Sequence, residues 1–349
     1  MKPEWKAFLV DNGAELADDL VAHFGNPERE RQVSTTGDVL CDLSQYGLIG
    51  AYGKDAAEFL HGQFTNDIKH LLESRSEMNG LCTAKGRLLT VFRVFRRGET
   101  IYLRLPRELL EPTLKRLKMY LLRAQATLED ASDALVRIGF SGPNAIEELH
   151  TTLGDAPANV DDVMQRDGLT LIRLPGVHPR FEIYGDLEPM KKLFGTLNVH
   201  AAPVGSDTWD LLDILAGLPS VHPQTVEAFI PQMLNLQLVN GVSFNKGCYP
   251  GQEVVARTQY LGKVKRRMYR IDIQTRETPV PGTEIFDPNA EDGQPVGAVV
   301  DAQAGPDGGC AALAVVQIAS AESKGPLHLG AADGPAVRVA TLPYAFDAD

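Results

Sequence analysis

The sequence predicts an α+β protein that ends in a small antiparallel β-barrel. From Val39 to about residue 262, segments that alternate apolar and polar residues are interspersed with segments of helical periodicity. After Lys265 only short strand-like segments follow, separated by turns rich in Gly, Pro and Asp. Evenly spaced short strands without an intervening helix are typical of a small barrel. The change of pattern at residues 262–268 therefore marks the clearest domain boundary.

The predicted elements begin after an amphipathic leader at residues 1–36. Leu88–Phe95 alternates apolar and polar positions, turns at Arg97–Glu99 and continues as Thr100–Leu105, which predicts a hairpin. Leucines spaced by four, three and four residues predict the helix that follows, at Leu110, Leu114, Leu117 and Leu121. The same criteria predict strands at 136–140, 169–174 and 181–184, and helices at 143–153, 187–197 and 206–216. Five barrel strands are predicted at 269–273, 283–286, 296–300, 311–316 and 337–339.

Composition and charge limit the classes of protein to which the chain can belong. Its 349 residues are enough for two or three domains of about 100 to 200 residues each, and its 44% hydrophobic content supports real cores. Asp11, Glu15 and Asp18 interrupt the apolar run of a signal peptide, and no segment approaches the roughly 18 apolar residues of a membrane helix. The net charge of −12 argues against a general nucleic-acid coat. We expect a soluble, cytoplasmic protein with no membrane partner.

The cysteines and histidines show no metal-binding spacing. Cys41, Cys82, Cys248 and Cys310 lie far apart and form no C-x-x-C pair. The histidines form no H-x-H or H-E-x-x-H arrangement. The sequence therefore predicts free thiols in a reducing compartment and no stably bound metal.

One cysteine stands in a segment typical of a reactive thiol. Cys248 lies between two glycines, two residues after Lys246 and before a Pro250-Gly251 turn. Gln252–Arg257 is good helix material, so a helix N-terminus and an ammonium are both predicted close to the sulfur. Both favour a thiolate over a thiol. The alternative is a small buried apolar residue in a turn, and the spacing alone does not decide between the two.

The segment KGCYPGQE (residues 246–253) resembles the signature of the YgfZ folate-binding family, together with Phe229–Gln232, Asn235–Gln237 and Val254–Arg257. That family is related to the aminomethyltransferase of glycine cleavage (GcvT) and to mitochondrial factors that mature iron–sulfur enzymes. Further segments resemble it at 53–56, 59–68, 82–87 and 342–344. The resemblance covers residues 39–345, nearly all of the chain.

The resemblance implies a GcvT-like folate-binding fold of three domains in a ring around a channel that holds tetrahydrofolate. Following the leader, the domains would be residues 37–134 with 205–262, 135–204, and the barrel domain 263–349. Tyr46 and Trp209 stand at the positions of the family's folate-lining aromatics, although the family carries tryptophan at the first. On spacing alone each is more often a core aromatic, and Trp209, at helical spacing with Leu212 and Leu215, is interpreted first as a core residue.

The resemblance also implies a role for Glu182. Arg180–Gly185 resembles the aminomethyltransferase segment whose glutamate, here Glu182, holds the pterin ring. A carboxylate can accept two N–H donors from an aminopyrimidine edge, but Glu182 is equally well explained as an exposed strand residue. As our own hypothesis beside the resemblance, Lys246 would hold the Cys248 thiolate and the anionic folate tail, and Tyr249 would shape the pocket wall.

The expected function follows from the match to the cysteine signature and from the absence of the acidic pair found in aminomethyltransferases. The aminomethyltransferases carry an acidic pair after the glycine at the position of Gly86, whereas Arg87–Val91 contains no carboxylate to handle protons. We therefore expect a folate-binding accessory protein that supports assembly or repair of iron–sulfur enzymes, including radical tRNA methylthiotransferases. A folate-dependent aminomethyltransferase or demethylase is the first alternative.

Basic residues make direct RNA contact a second alternative. One run follows the cysteine motif, at Arg257, Lys263, Lys265, Arg266, Arg267 and Arg270, and a smaller cluster lies at residues 115–123. Such runs are usually solvated faces. They would also attract the glutamate tail of a folate or, in a tRNA-binding regulator, an RNA backbone.

Overall fold

The computed structural model describes residues 1–290, 293–323 and 325–346, so that residues 291–292, 324 and 347–349 of the predicted barrel domain lie outside it. The chain divides into two compact units, each discontinuous in sequence. Unit 1 comprises Met1–Ala56, His70–Glu77 and Arg93–Leu212. Unit 2 comprises Ala57–Lys69, Met78–Phe92 and the chain from Asp213 onward. Within the described ranges, no helix has the length and apolar character needed to cross a membrane.

The described residues form nine α-helices. They are α1 Pro3–Asp11, α2 Pro27–Ser34, α3 Ala56–His61, α4 Leu110–Tyr120, α5 Ala145–Leu153, α6 Leu187–Leu197, α7 Ser206–Leu215, α8 Gln252–Tyr260 and α9 Ile318–Glu322. The four helices predicted between residues 110 and 216 are confirmed as α4 to α7, with ends that differ by at most two residues. Gly154 ends α5 at φ 81°, a left-handed conformation that glycine adopts without strain.

The strands confirm the α+β prediction. They are β1 Glu15–Ala17, β2 Leu20–His23, β3 Val39–Asp42, β4 Tyr46–Tyr52, β5 Ser76–Cys82, β6 Leu88–Arg97, β7 Thr100–Pro106, β8 Thr127–Asp130, β9 Val136–Ser141, β10 Val163–Arg166, β11 Leu169–Leu174, β12 Arg180–Gly185, β13 Ala202–Val204, β14 Arg266–Ile273, β15 Glu284–Phe286, β16 Gly297–Ala304, β17 Cys310–Gln317, β18 Leu327–Leu329 and β19 Ala336–Ala340. β1 pairs with β2, and a five-stranded sheet has the order β5-β6-β7-β4-β8. The predicted hairpin is β6–β7, closed by the pair Arg97 and Thr100.

Unit 1 contains a six-stranded sheet of order β10-β11-β12-β9-β3-β13. Side chains of a strand alternate between its two faces, and Phe181 and Ile183 of β12 point into a hydrophobic core. Trp5 and Leu9 of α1 belong to the same core, and the Trp5 Nε1–H donates a 2.7 Å hydrogen bond to Asp42 Oδ1. Residues 1–36, which the sequence pattern sets apart as a leader, thus contribute to the core of unit 1.

Unit 2 contains the predicted barrel. Six antiparallel strands close in the order β14-β17-β16-β15-β18-β19, and β14 pairs with both β17 and β19. Inward-facing residues such as Ile271, Val299 and Ala314 fill the interior. The sequence pattern misses β18, a strand of three residues.

Candidate functional site

Cys248 is the exposed thiol of the molecule. Cys41, Cys82 and Cys310 are buried. Burial raises the pKa of the Cys82 thiol to about 12 and holds that of Cys41 well above its ordinary value. The alternative of a buried structural thiol therefore fails for Cys248, which is the cysteine accessible to a reagent or partner.

Lys246 anchors the cysteine loop, residues 245–251, through its ammonium group. The Nζ donates to the backbone carbonyls of His61, Phe64 (2.6 Å) and Asn66 (2.9 Å). It also lies 5.1 Å from the ring centroid of Tyr249. An ammonium has three N–H groups, and three carbonyls match them. The contacts described thus give Lys246 a structural role, while its predicted action on the thiolate stays a prediction.

Two glycine turns meet behind the cysteine loop. Gly251 has φ 84° and precedes α8, so the helix begins where the sequence predicts it. A Cβ on Gly251 would lie 2.5 Å from the carbonyl oxygen of Thr83 and 2.6 Å from the Cα of Gly86, so only glycine allows this approach. The segments 82–87 and 246–253, which both resemble the family, are therefore in direct contact.

Tyr249 is the buried member of the cysteine loop. Its side chain is largely removed from water, and this burial raises the pKa of its phenol, with a smaller contribution from Cys82. The neutral phenol contacts the Lys246 ammonium, while the predicted role of Tyr249 in the pocket wall stays a prediction.

In unit 1, one buried polar cluster involves three predicted site residues, which are Glu182, Tyr46 and Trp209. Glu182 is fully buried, which excludes the exposed-strand alternative. Its Oε1 accepts a 2.6 Å hydrogen bond from Arg104 Nη2, and its Oε2 accepts one of 2.5 Å from the Tyr184 hydroxyl. The Arg104 guanidinium lies 4.1 Å from the ring centroid of Tyr46, whose hydroxyl donates to Asp210 at 3.0 Å. Arg104 thus connects Tyr46 to Glu182.

Trp209 packs on the same face of the six-stranded sheet. A Cβ on Gly139 would lie 2.5 Å from the indole, so the ring rests directly on the glycine backbone. Gly139 pairs with Glu182 in the sheet register. The Arg180 guanidinium lies 4.4 Å from the Trp209 ring centroid. Trp209 is fully buried and Tyr46 is 7% exposed, so both occupy core positions, as the core alternative predicts.

The cluster retains unused hydrogen-bonding capacity. Among the described residues, Trp209 Nε1 and Ser206 Oγ are buried without a hydrogen-bond partner. Both lie on α7 at i and i+3, on one side of the helix. An ionised carboxylate has about four acceptor positions, and two of those on Glu182 are used. Unpaired buried polar groups are rare, so Trp209 Nε1 and Ser206 Oγ are atoms of this cluster that a further polar partner would satisfy.

Sequence reasoning missed Arg104 and Arg180. Each stands in a strand with apolar or β-forming neighbours, and each is buried. For Arg104 the available signal is a charged residue within the predicted strand 100–105, because a buried charge needs a partner. Arg180 directly precedes the predicted strand 181–184.

A pocket of about 450 Å³ opens in unit 2 beside the barrel. Three cationic side chains line it, from Arg87, Lys265 and Arg266, with Glu284 as the carboxylate of the lining. Phe229 and Met233 supply apolar wall. Two residues of the predicted basic run therefore face a concave surface. In the part of the chain that the structure describes, no group of three or more His, Cys, Asp or Glu side chains is arranged to hold a metal ion.

The chain is similar to known proteins along most of its length. It is 32% identical over 312 residues to the tRNA-modifying protein YgfZ of Colwellia psychrerythraea, covering 89% of this chain and 94% of that protein. It is 33% identical over 263 residues to the tRNA-modifying protein YgfZ of Yersinia pseudotuberculosis, covering 75% and 79%. No family model matches the chain.

The fold is similar to that of a solved aminomethyltransferase. The crystal structure of glycine cleavage system aminomethyltransferase T from Bartonella henselae superposes with a TM-score of 0.76, over 97% of this chain and 96% of that one. The identity is 18%, so the likeness concerns the fold alone. It confirms the GcvT-like fold that the sequence predicts.

Proposed function

The chain belongs to the YgfZ family, and from this we propose that it is a folate-binding accessory protein of tRNA modification that supports assembly or repair of iron–sulfur enzymes. Its relatives are named as tRNA-modifying proteins. The observation that carries the proposal is Cys248, the exposed thiol of a cysteine loop that Lys246 anchors by three backbone contacts. A reactive sulfur needs exposure and a fixed position together.

Tetrahydrofolate is the proposed ligand of the buried polar cluster in unit 1. Glu182 would accept N–H groups of the pterin ring through its remaining acceptor positions. The unpaired Trp209 Nε1–H and Ser206 hydroxyl would pair with acceptors of the ring. Tyr46, held by Arg104 and Asp210, would bound the ring with its aromatic face. When bound, the folate would supply or accept a one-carbon unit or a reducing equivalent.

The partners of the thiol would be cytoplasmic iron–sulfur enzymes, such as the radical enzymes that thiomethylate tRNA. Cys248 would take up iron or sulfur transiently, or resolve an oxidised intermediate, because a soft sulfur ligand suits both tasks. Tyr249 and Lys246 would keep the loop in one conformation during the encounter.

A complementation experiment tests this function. In a bacterial cell that lacks its own copy, Cys248→Ser should retain tetrahydrofolate binding and lose support of tRNA thiomethylation, measured by mass spectrometry of tRNA nucleosides. Cys310→Ser is the matched control, since its sulfur faces the carbonyls of Thr275 and Glu277, to which a hydroxyl can donate. Full rescue by Cys248→Ser would contradict the proposed role of the thiol.

Direct binding of tRNA is a second candidate, and the cationic pocket of unit 2 favours it. Arg87, Lys265 and Arg266 converge on one concave surface of about 450 Å³, where cations attract phosphate more strongly than on a flat face. The folate would then act as a regulator of RNA binding. A steep fall of tRNA affinity with salt, reduced in Lys265→Ala, would support this candidate. Salt-independent binding or none would exclude it.

A further inference from the structure

The imidazole of His61 lies against the cysteine loop in unit 2. A Cβ built on Gly247, the residue before Cys248, would lie 3.6 Å from His61 Nε2, which is van der Waals contact. His61 is the last residue of α3, and its side chain is 11% exposed. The imidazole is therefore enclosed by protein on most sides, with one nitrogen directed to the residue next to the thiol.

The other nitrogen of this imidazole faces a carboxylate. His61 Nδ1 lies 3.1 Å from Asp67 Oδ1, although the two are not aligned as a hydrogen bond. A buried ring nitrogen usually forms one when the histidine is purely structural. In resting structures the hydrogen bonds of catalytic groups are often long or poorly aligned. His61 and Asp67 thus have the arrangement of a base and a group that orients it, beside the residue that precedes Cys248.

Lys246 holds these parts together. Its ammonium donates to the carbonyl of His61 itself and to the carbonyls of Phe64 and Asn66, in the turn between His61 and Asp67. The same side chain belongs to the cysteine loop. One buried cation therefore fixes the backbone next to both the thiol and the imidazole.

We propose that His61 Nε2 is the proton acceptor for the Cys248 thiol, with Asp67 as the group that orients the imidazole. The inference deepens the proposed function, since it rests on Cys248 as the reactive group. When Sγ forms a bond to an electrophile, the S–H bond breaks and its proton passes to Nε2. Asp67 then stabilises the imidazolium. No redox partner takes part in this step.

The charges around His61 fit a base that is neutral before it reacts. Burial lowers the pKa of the imidazole below its ordinary value, and the positive charges of Lys246 and Lys69 lower it further. The negative charges of Asp67 and Glu58 act in the opposite direction and do not outweigh this. Above that lowered pKa the ring has lost its proton and can accept one.

The test measures the rate at which iodoacetamide alkylates Cys248 as a function of pH, by mass spectrometry of the intact chain after timed quenching. The thiol attacks the methylene carbon, a C–S bond forms and iodide leaves. We expect the rate to rise with an inflection below about 6.5 and to level off before the ordinary thiol pKa of about 8.5. His61→Gln should remove that inflection and slow alkylation at pH 7 at least about tenfold. The exposed His150→Gln is the matched control.

Two results would overturn the inference. One is a single rise near the ordinary thiol pKa in the parent protein, which needs no variant to be observed. The other is an unchanged profile in a folded His61→Gln protein. Because the assay involves neither folate nor tRNA, it succeeds or fails independently of the complementation experiment with Cys248→Ser. Full rescue by Cys248→Ser, together with the expected pH profile in the parent protein, would contradict the proposed function and leave the inference about Cys248 and His61 intact.

Discussion

Arg104 and Glu182 form an ion pair in the interior of unit 1, with Arg104 Nη2 only 2.6 Å from Glu182 Oε1. The Glu182 side chain has no exposed surface and that of Arg104 is 9% exposed. Removing two charges from water is costly, and the Tyr184 hydroxyl and the Tyr46 ring offset part of that cost. The pair is therefore sensitive to loss of either partner.

The first prediction is that Arg104→Met lowers the free energy of unfolding by about 3 to 5 kcal/mol, because it leaves the Glu182 carboxylate buried without its cation. Urea unfolding followed by circular dichroism measures this. Arg338→Met is the matched control, since Arg338 forms an equally short pair with Asp272 at 2.6 Å but its side chain is 81% exposed. The control should change stability by less than about 1 kcal/mol. Equal effects of the two substitutions would contradict the argument from burial.

The second prediction concerns Gly139, on which Trp209 rests. Gly139→Ala would place a Cβ within 2.6 Å of three indole atoms, and we expect a destabilisation of about 1 to 3 kcal/mol with a shifted tryptophan emission. Gly195→Ala is the control, because no atom lies within 4 Å of a Cβ at this exposed position of α6. Alanine there should stabilise the helix by up to about 1 kcal/mol. A Gly139→Ala protein with parental stability would mean that Trp209 is not held against the sheet.

Local sequence patterns predicted the helices and strands, but they did not predict which residues contact one another in the site. The helix Leu187–Leu197 was predicted with the observed bounds because its apolar positions repeat at helical spacing. The partners of Lys246 are carbonyls 180 to 185 positions away in sequence, and Arg104 and Glu182 are 78 positions apart. The periodicity of apolar residues within a segment gives no information about such long-range pairs. The exposure of Cys248 is an intermediate case, since glycines and a turn indicate a loop but not its accessibility.

The third prediction is selective alkylation of Cys248. Iodoacetamide at neutral pH should label this residue at least about tenfold faster than the other cysteines, which are buried; the thiol pKa is about 12 for Cys82 and is also raised for Cys41. Peptide mass spectrometry after timed quenching measures the four rates. Labelling of all four in urea is the control for reagent access. Uniform labelling of the folded protein would contradict the described burial.

The fourth prediction tests the folate cluster with a small change. Tetrahydrofolate should bind in the low micromolar range or more weakly and alter the emission of Trp209, read in a Trp5→Phe background because the chain has two tryptophans. Ser206→Ala removes one unpaired hydroxyl and should weaken binding about 3- to 10-fold without loss of stability. An unaltered affinity in Ser206→Ala would place the ligand elsewhere in the protein. No binding to the parent protein would exclude tetrahydrofolate as the ligand.

The fifth prediction is that the purified protein does not replace the aminomethyltransferase in a reconstituted glycine-cleavage assay. The fold is shared, with a TM-score of 0.76, but a fold does not carry the chemistry of a site. The residues after Gly86 are Arg87, Leu88 and two further uncharged positions, and Thr90 is fully buried. No carboxylate there can take up or release the proton of the reaction. Addition of a genuine aminomethyltransferase to the same mixture controls for its other components. Sustained release of ammonia by this chain alone would establish it as a transferase and remove the reason for assigning its function to Cys248.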